Sequence, residues 1–514
     1  MNGAQSFVET LLVGGVDVCF TNPGTSEMHI VAALDRFPRL RSVLALFEGV
    51  VSGAADGYAR MSGKPACTLL HLGPGLANSL ANLHNASRAR VPIINIVGEH
   101  ATHHLPLDTP LTSDIEGIAR PYSKWLRSSR STAGLGRDVA DAIVASRTAP
   151  CRIATLIVPA DVAWSDGGVT TQIPAIPEPP LPSAATVSYI AAKLKSVQPA
   201  AFLLSGDALY GKGLVTAGRL AAATKAKLYA PYPFARLEHG AGVPRVERIP
   251  YVQEQAIEVL KELRLLIIVG AVSTHSYFAS KAKNSSFTPP GCELLTLAKP
   301  EENCAGSLDA LASELGVQGE SPILEPVQHT SIPSGPISLS GLAAAIAGLL
   351  PENAIVVDES MTSGRGIVSA LSGAAPHDVL ANTGGSIGIA MPLAVGAAIA
   401  CPDRRVLCLS ADGSGMYTLQ GLWTMAREGL HVTTVIFSNR TYGVLKWEFS
   451  NLGVGEPGPV AAKLFNIGDP DLDWVSLARG MGVPGRRVTS LEEFATALKH
   501  GFASDGPSLI EVPL

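Results

Sequence analysis

Charge is scarce in this chain. Only 16% of its 514 residues are Asp, Glu, Lys or Arg, against about 25% in an ordinary domain. Much of the surface must be covered by something other than charge, and association between subunits is the expected cover. No basic excess exists either: 39 Lys and Arg face 44 Asp and Glu, for a net charge of −5. That excludes a bulk basic footprint for nucleic acid or for an anionic membrane. The seven cysteines are odd in number and contain no C-x-x-C pair. A disulfide framework or a structural zinc is not expected, and a reducing, cytoplasmic compartment is. The first residues, MNGAQSFVET, lack a basic and apolar leader, so no signal peptide is expected. The uncharged run Val379–Pro402 has the length of a membrane span. It also holds Gly384, Gly385, Gly388, Pro392 and Gly396, which predicts a buried glycine-rich turn and helix instead.

What the chain does have is 51 glycines, 37 prolines and alternating short apolar runs and helical patterns. Proline-rich stretches at 167–184 and 319–336 read as extended linkers. They leave blocks 1–166, 184–318 and 337–514. Strands are predicted at Val16–Phe20, Val43–Phe47, Cys67–His71, Ile93–Val97 and Ala154–Val158, then at Ala201–Leu204 and Leu265–Val269. The third block adds Ile355–Val357, Val406–Ser410 and Thr433–Phe437. Strands separated by helices form parallel sheets, so the expected fold class is α/β, with three doubly wound parallel-sheet domains. Ligands of such sheets bind beyond the carboxyl ends of the strands.

Those ends carry the chemistry. Residues 406–443 read as strand, Ala411-Asp412-Gly413-Ser414, a helix with Met416, Leu419, Trp423 and Ala426 on one face, and a second strand ending at Ser438-Asn439. A right-handed crossover puts Asp412 and Asn439 at one end of the sheet. A carboxylate and an amide oxygen there, beside a glycine turn, suit Mg²⁺ holding a diphosphate. The plainer reading is a turn with Asp as helix cap. Glu48 follows a strand and opens a Gly/Ala-rich helix. It is either a buried acid that shares a proton with a ring nitrogen or a first-turn residue complementing the helix dipole. His71 ends another strand beside Gly73-Pro74-Gly75 and is placed for acid/base work, or is a satisfied core histidine. Ile387 projects from the turn Gly384-Gly385-Ser386-Ile387-Gly388. Tyr442, Leu445, Trp447 and Phe449 suit core, interface or a substrate wall. His103 and His104 read as a solvated loop.

Together these residues resemble the thiamine-diphosphate-dependent 2-oxo acid decarboxylases and carboligases, across essentially the whole chain. The resemblance implies a pyrimidine-binding domain (1–166), a central domain (184–318) and a diphosphate-binding domain (337–514). The family's G-D-G…N motif looks like Ala411-Asp412-Gly413…Asn439, its activating glutamate like Glu48, and the residue that bends the cofactor like Ile387. Thiamine diphosphate and Mg²⁺ are the implied cofactors. The implied metal ligands are Asp412, Asn439 and Thr441. Gly385, Ser386, Gly413, Ser414, Tyr442 and Asn78 are implied cofactor contacts. Within the family the benzoylformate decarboxylase branch is most similar. Asn22-Pro23-Gly24-Thr25-Ser26-Glu27 resembles its N-P-G-S-N-E segment, which places Thr25 at a catalytic serine and His71 at a catalytic histidine. Leu445, Glu448 and His275 fall in its substrate pocket.

Departures from the pattern are Ala411 for glycine, Ser438 for asparagine and Thr25 for serine. His275 falls about two residues early for the second catalytic histidine, and Tyr277 lies nearer that place. Glu448 stands where an apolar wall is expected, which predicts that benzoylformate is a poor substrate. The F-Q-E segment and a flavin pattern of the acetolactate synthases are missing, so FAD is not expected, although Gly73-Pro74-Gly75 resembles that branch. The implied activity is decarboxylation of a small-molecule 2-oxo acid to an aldehyde or 2-hydroxy ketone. An acetolactate synthase-type carboligase and a catalytically weak cofactor-binding module are the alternatives. The resemblance also implies a homodimer or homotetramer, with Glu48 from one chain meeting Asp412 and Asn439 of another.

Overall fold

The computed structural model describes residues 1–272, 274–279 and 284–514, and its strands form three sheets. In the first, β1 (Val18–Asn22), β2 (Arg41–Leu44), β3 (Ala66–Leu70), β4 (Ile93–Glu99), β5 (Trp125–Ser128) and β6 (Ile153–Pro159) lie in the order β2-β1-β3-β4-β6-β5, all parallel. Every residue of β4 and β6 is buried, as a parallel sheet covered on both faces requires. The second holds β7 (Ala200–Leu204), β8 (Lys227–Ala230), β10 (Glu247–Arg248), β11 (Leu265–Val269) and β12 (Glu293–Ala298), in the order β10-β8-β7-β11-β12. The third holds β13 (Ile355–Glu359), β14 (His377–Ala381), β15 (Val406–Ala411), β16 (Val432–Ser438), β17 (Gly485–Arg487) and β18 (Ser508–Pro513).

The third sheet departs from the all-parallel expectation. Its order is β17-β18-β16-β15-β13-β14-β9, and the last strand, β9 (Arg236–His239), comes from the middle block and pairs antiparallel with β14. An apolar core accordingly runs without a break from Phe202 and Leu204 through Leu237 to Val379 and Phe437. Residues 167–183 and 319–336 contain no helix or strand beyond isolated bridges.

The first and third sheets meet through two helices, Glu48–Ser62 and Ala390–Ala400. Their small residues explain the closeness. A Cβ at Gly57 would collide with the Leu393 carbonyl, and one at Gly396 with that of Ala54. Buried Arg60 locks the contact. It grips Asp56 with two bonds of 2.7 Å, then donates to the carbonyls of Ala381 (2.7 Å) and Ala235 (3.0 Å) and to Thr383 Oγ1 (3.1 Å). The uncharged run 379–402 resolves into the end of β14, a loop and the buried helix Ala390–Ala400. No helix of the described residues is long and apolar enough to cross a membrane.

One predicted helix is corrected. After Asp412 the chain makes a single turn (Asp412–Gly415), unwinds, and re-forms as Gln420–Arg427. The buried face is Leu422 and Met425 with Gly421 and Thr424, not Met416 and Trp423. Thr418 ties the break down by donating to the Gly388 carbonyl at 2.6 Å, a tertiary bond that a helical period does not register.

Candidate active site

Glu48, His71 and Thr25 converge at the carboxyl edge of the first sheet. Glu48 is buried at the start of its helix, with each carboxylate oxygen accepting one amide: Oε1 from Asn22 Nδ2 and Oε2 from Asn78 Nδ2, both at 3.0 Å. Neither partner is a cation, so the carboxylate is oriented without being neutralised. Asn78, an implied cofactor contact, thus has its amide on Glu48. His71 follows β3, and its ring lies against Gly24, where a side chain would occupy the same space. The next residue, Leu72, is held at φ +51°, an uncommon conformation for a bulky side chain. Thr25 is exposed in the short turn Thr25–Glu27 that connects these groups.

Glu27 is the acid to which sequence reasoning assigned no role. It is completely buried, and its Oε2 accepts from Gly24 N–H (2.8 Å) and contacts His71 Nδ1 (2.9 Å). Its Oε1 is buried without a hydrogen-bond partner. Burial pushes the Glu27 carboxyl above its usual range, and the facing His71 opposes the shift. The signals in the sequence were its place three residues after Gly24 and at the end of the segment that resembles N-P-G-S-N-E.

The third sheet assembles a second cluster. Asp412 is 1% exposed. Its Oδ1 accepts from Gly413 N–H (2.8 Å) and its Oδ2 from Arg440 N–H (2.7 Å). Among the described residues no cation pairs with it. Burial raises its carboxyl above the usual range, against those backbone donors. Asn439 is anchored through Nδ2 to Ser363 Oγ (3.2 Å), and its Oδ1 accepts from Thr441 N–H (3.1 Å). The Thr441 hydroxyl donates to the Phe465 carbonyl at 2.8 Å. The Tyr442 ring packs where a Cβ on Gly413 would stand, 2.6 Å from its nearest carbon, and Ser414 is buried beside them. A buried, uncompensated carboxylate beside an amide oxygen fits a divalent cation.

Ile387 is half-buried on a loop clamped from both sides. Asn85 and Asn382 each donate to the Ser386 carbonyl (2.8 and 2.9 Å), and Gly385 N–H returns to Asn382 Oδ1 (2.8 Å). On the other flank Glu359, at the end of β13, accepts the N–H groups of Gly388 (3.0 Å), Ile389 (3.3 Å) and Ala390 (3.1 Å). Burial pushes the Glu359 carboxyl up to about 7 despite these donors. Sequence reasoning stopped that strand at Val357 and missed Glu359, although a strand-end acid was the available signal.

An aromatic wall stands beside this loop. Tyr277 lies 3.4 Å from where a Gly385 Cβ would sit, 5.3 Å from the Tyr251 ring, and Tyr251 is 5.8 Å from Trp447. Glu448 is half-buried and accepts from the Tyr251 hydroxyl at 2.5 Å, while Leu445 is exposed. His275 is exposed and bridges to Ser286, and Tyr277, also exposed, brings its ring toward Gly385. His275, Tyr277 and Tyr251 line a cavity of about 1090 Å³ that reaches Thr383 and Gly384. Among the described residues, no hydrogen bond or ion pair joins Glu48 or His71 to the Asp412 cluster or to loop 382–388.

Comparisons with known proteins agree with this layout. Residues 1–118 match the thiamine pyrophosphate enzyme, N-terminal TPP binding domain, and residues 368–512 match the C-terminal TPP binding domain. The chain belongs to the thiamine pyrophosphate enzymes. It is 50% identical, over its whole length and 99% of the relative, to the Mycobacterium tuberculosis protein named "Putative acetolactate synthase large subunit IlvX". It is 28% identical to the benzoylformate decarboxylase of Pseudomonas aeruginosa, over 98% of this chain and 97% of that one. In three dimensions it is similar to the thiamine diphosphate-dependent 4-hydroxybenzoylformate decarboxylase of Rhodococcus jostii, with a TM-score of 0.86 at 23% identity, covering 100% and 99% of the two chains. By identity the synthase-named relative ranks above the decarboxylase, the reverse of the order that the motifs suggested.

Proposed function

We propose that this protein is a thiamine-diphosphate- and Mg²⁺-dependent decarboxylase of 2-oxo acids. The observation that carries the proposal is the buried Glu48 carboxylate, held by two neutral amides beside the Glu27–His71 pair. The bound cofactor supplies an electron sink for the bond broken when CO₂ leaves. Residues 1–166 bind its pyrimidine end and 337–514 its diphosphate end, with 184–318 between them. Glu48 would hold the proton shared with a pyrimidine ring nitrogen. Asp412, Asn439 and Thr441 hold the metal, with Gly413, Ser414 and Tyr442 around the diphosphate. Ile387, backed by Gly385 and Ser386, would pack against the cofactor. His71, oriented by Glu27, moves the proton that completes the aldehyde, and Thr25 orients the substrate carboxylate.

The site is completed between subunits of a homodimer or homotetramer, a reading supported by the fact that, among the described residues, no hydrogen bond or ion pair joins the Glu48 and Asp412 clusters within one chain. A reducing, cytoplasmic compartment is supported by seven cysteines, none of them in a disulfide. A second reading, an acetolactate synthase-type carboligase, is favoured by the relative at 50% identity. A panel of 2-oxo acids, with CO₂, aldehyde and acyloin all measured, tests both. Aldehyde and CO₂ in equal amounts support the decarboxylase, acetolactate from pyruvate supports the carboligase, and no CO₂ from any member contradicts both.

A further inference from the structure

Arg365 stands at the tip of the turn 360–366, which runs beside the Asp412 cluster. Two residues of that turn, Thr362 and Ser363, contact Asn439 Nδ2 at 3.5 and 3.2 Å. The turn is tightly built. A side chain on Gly364 would collide with Ser360, Gly366 has φ +97°, and Ser360 bonds through N–H and hydroxyl to Asp358 Oδ1 at 3.1 and 2.5 Å. The guanidinium lies over the Trp447 ring, 5.1 Å from its centroid, and 6.0 Å from that of Tyr251. A guanidinium over an aromatic face is attracted to the ring and keeps N–H groups free for a ligand.

Among the described residues no acid forms an ion pair with this guanidinium, which also makes no hydrogen bond among them and is exposed. Asp358 has a cationic partner, whereas the donors on Glu448 are neutral and do not compensate its carboxylate. Glu448 accepts from Tyr251 (2.5 Å) and Asn451 (3.3 Å), and Asp358 faces Arg248 at 3.8 Å. The result is an unpaired cation on the same aromatic wall whose Tyr277 brings its ring toward Gly385 of the Ile387 loop.

We infer that the pocket selects a 2-oxo acid carrying a second anionic group at its far end, with Arg365 forking that group. A guanidinium matches a carboxylate with two parallel donors. A phenyl ring or short alkyl chain would leave those donors unused. This inference rests on the decarboxylase reading for the identity of the near end of the substrate, but not for the binding of the far end.

The test pairs 2-oxoglutarate with 2-oxopentanoate, equal in chain length and differing in the terminal carboxylate. Wild-type kcat/KM should favour 2-oxoglutarate by tenfold or more, and Arg365→Gln should reduce that ratio at least tenfold, chiefly through KM. Arg365→Lys, which keeps charge and loses the fork, should fall between. Calorimetry on the protein loaded with cofactor and Mg²⁺ provides a readout apart from turnover: glutarate should bind more tightly than butyrate, and Arg365→Gln should abolish the difference. A wild-type preference for 2-oxopentanoate, or a ratio unmoved by Arg365→Gln, overturns the inference. Turnover of neither acid refers the decarboxylase reading to the wider 2-oxo acid panel. The glutarate titration then decides alone: weakening by Arg365→Gln upholds the anion site, and equal binding to both proteins overturns it.

Discussion

Replacing Glu359 with glutamine tests whether one buried carboxylate holds the Ile387 loop. Three backbone N–H groups and the Asn382 amide converge on it. Oε2 serves Ala390 alone, so Glu359→Gln turns one acceptor into a donor facing the Ala390 N–H. An unsatisfied buried donor costs about 1–3 kcal/mol. The ionisation adds a pH signature. The folded-state value is raised to about 7 from an ordinary 4.5, so the folded protein binds the proton more tightly than the unfolded chain does. The corresponding stability is fully present below about pH 4.5 and is lost as pH rises through about 7. The shift corresponds to roughly 3 kcal/mol. Other buried acids slope the same way, so the informative quantity is the difference between wild type and Glu359→Gln. In differential scanning calorimetry from pH 5 to 8.5 the variant should melt lower at pH 5. The gap should then narrow by roughly 5–10 °C as pH rises, at about 2–4 °C per kcal/mol for domains of this size. Parallel melting curves across that range would refute the reasoning.

Glu48→Gln should fold, bind thiamine diphosphate and lose about 10²–10⁴-fold in kcat, the usual worth of acid/base help; a fully active variant would return Glu48 to a helix-dipole role. Asp412→Ala should abolish Mg²⁺-dependent cofactor binding in calorimetry and Asn439→Ala should weaken it less, whereas equal affinity with and without Mg²⁺ in the wild type would contradict the metal assignment. Gly57→Ala should lower the melting temperature by several degrees, because overpacking against the Leu393 carbonyl costs about 1–3 kcal/mol; an unchanged melting temperature would mean that the two helices slide apart freely.

How much of this was readable in the sequence depends on how local each signal is. β3, β11, β15 and β16 are short, fully buried and mostly apolar runs, and the residues that follow three of them, His71, Asp412 and Asn439, stand within two positions of the predicted strand ends. Glu48 was readable because small residues behind it announce a close-packed helix. β9 was not, since four residues of mixed burial at a sheet edge carry no strong period. Nor was the partner of Glu48: Asn22 and Asn78 come together only when β1 and the start of helix Leu72–Ala89 meet. Glu27 and Glu359 look like ordinary acids until the folded chain buries them. Arg365 differs in kind: its interest lies in the absence of an ion-pair partner among the described residues, and a one-dimensional pattern contains no neighbours to be absent.

The most direct single measurement is CO₂ release from a 2-oxo acid panel by protein stripped of cofactor and metal, then reconstituted with each separately and with both. Release should disappear on stripping and return only when thiamine diphosphate and Mg²⁺ are added together. Release that survives stripping, or that never appears with any 2-oxo acid after full reconstitution, would contradict decarboxylation at the Glu48 and Asp412 clusters.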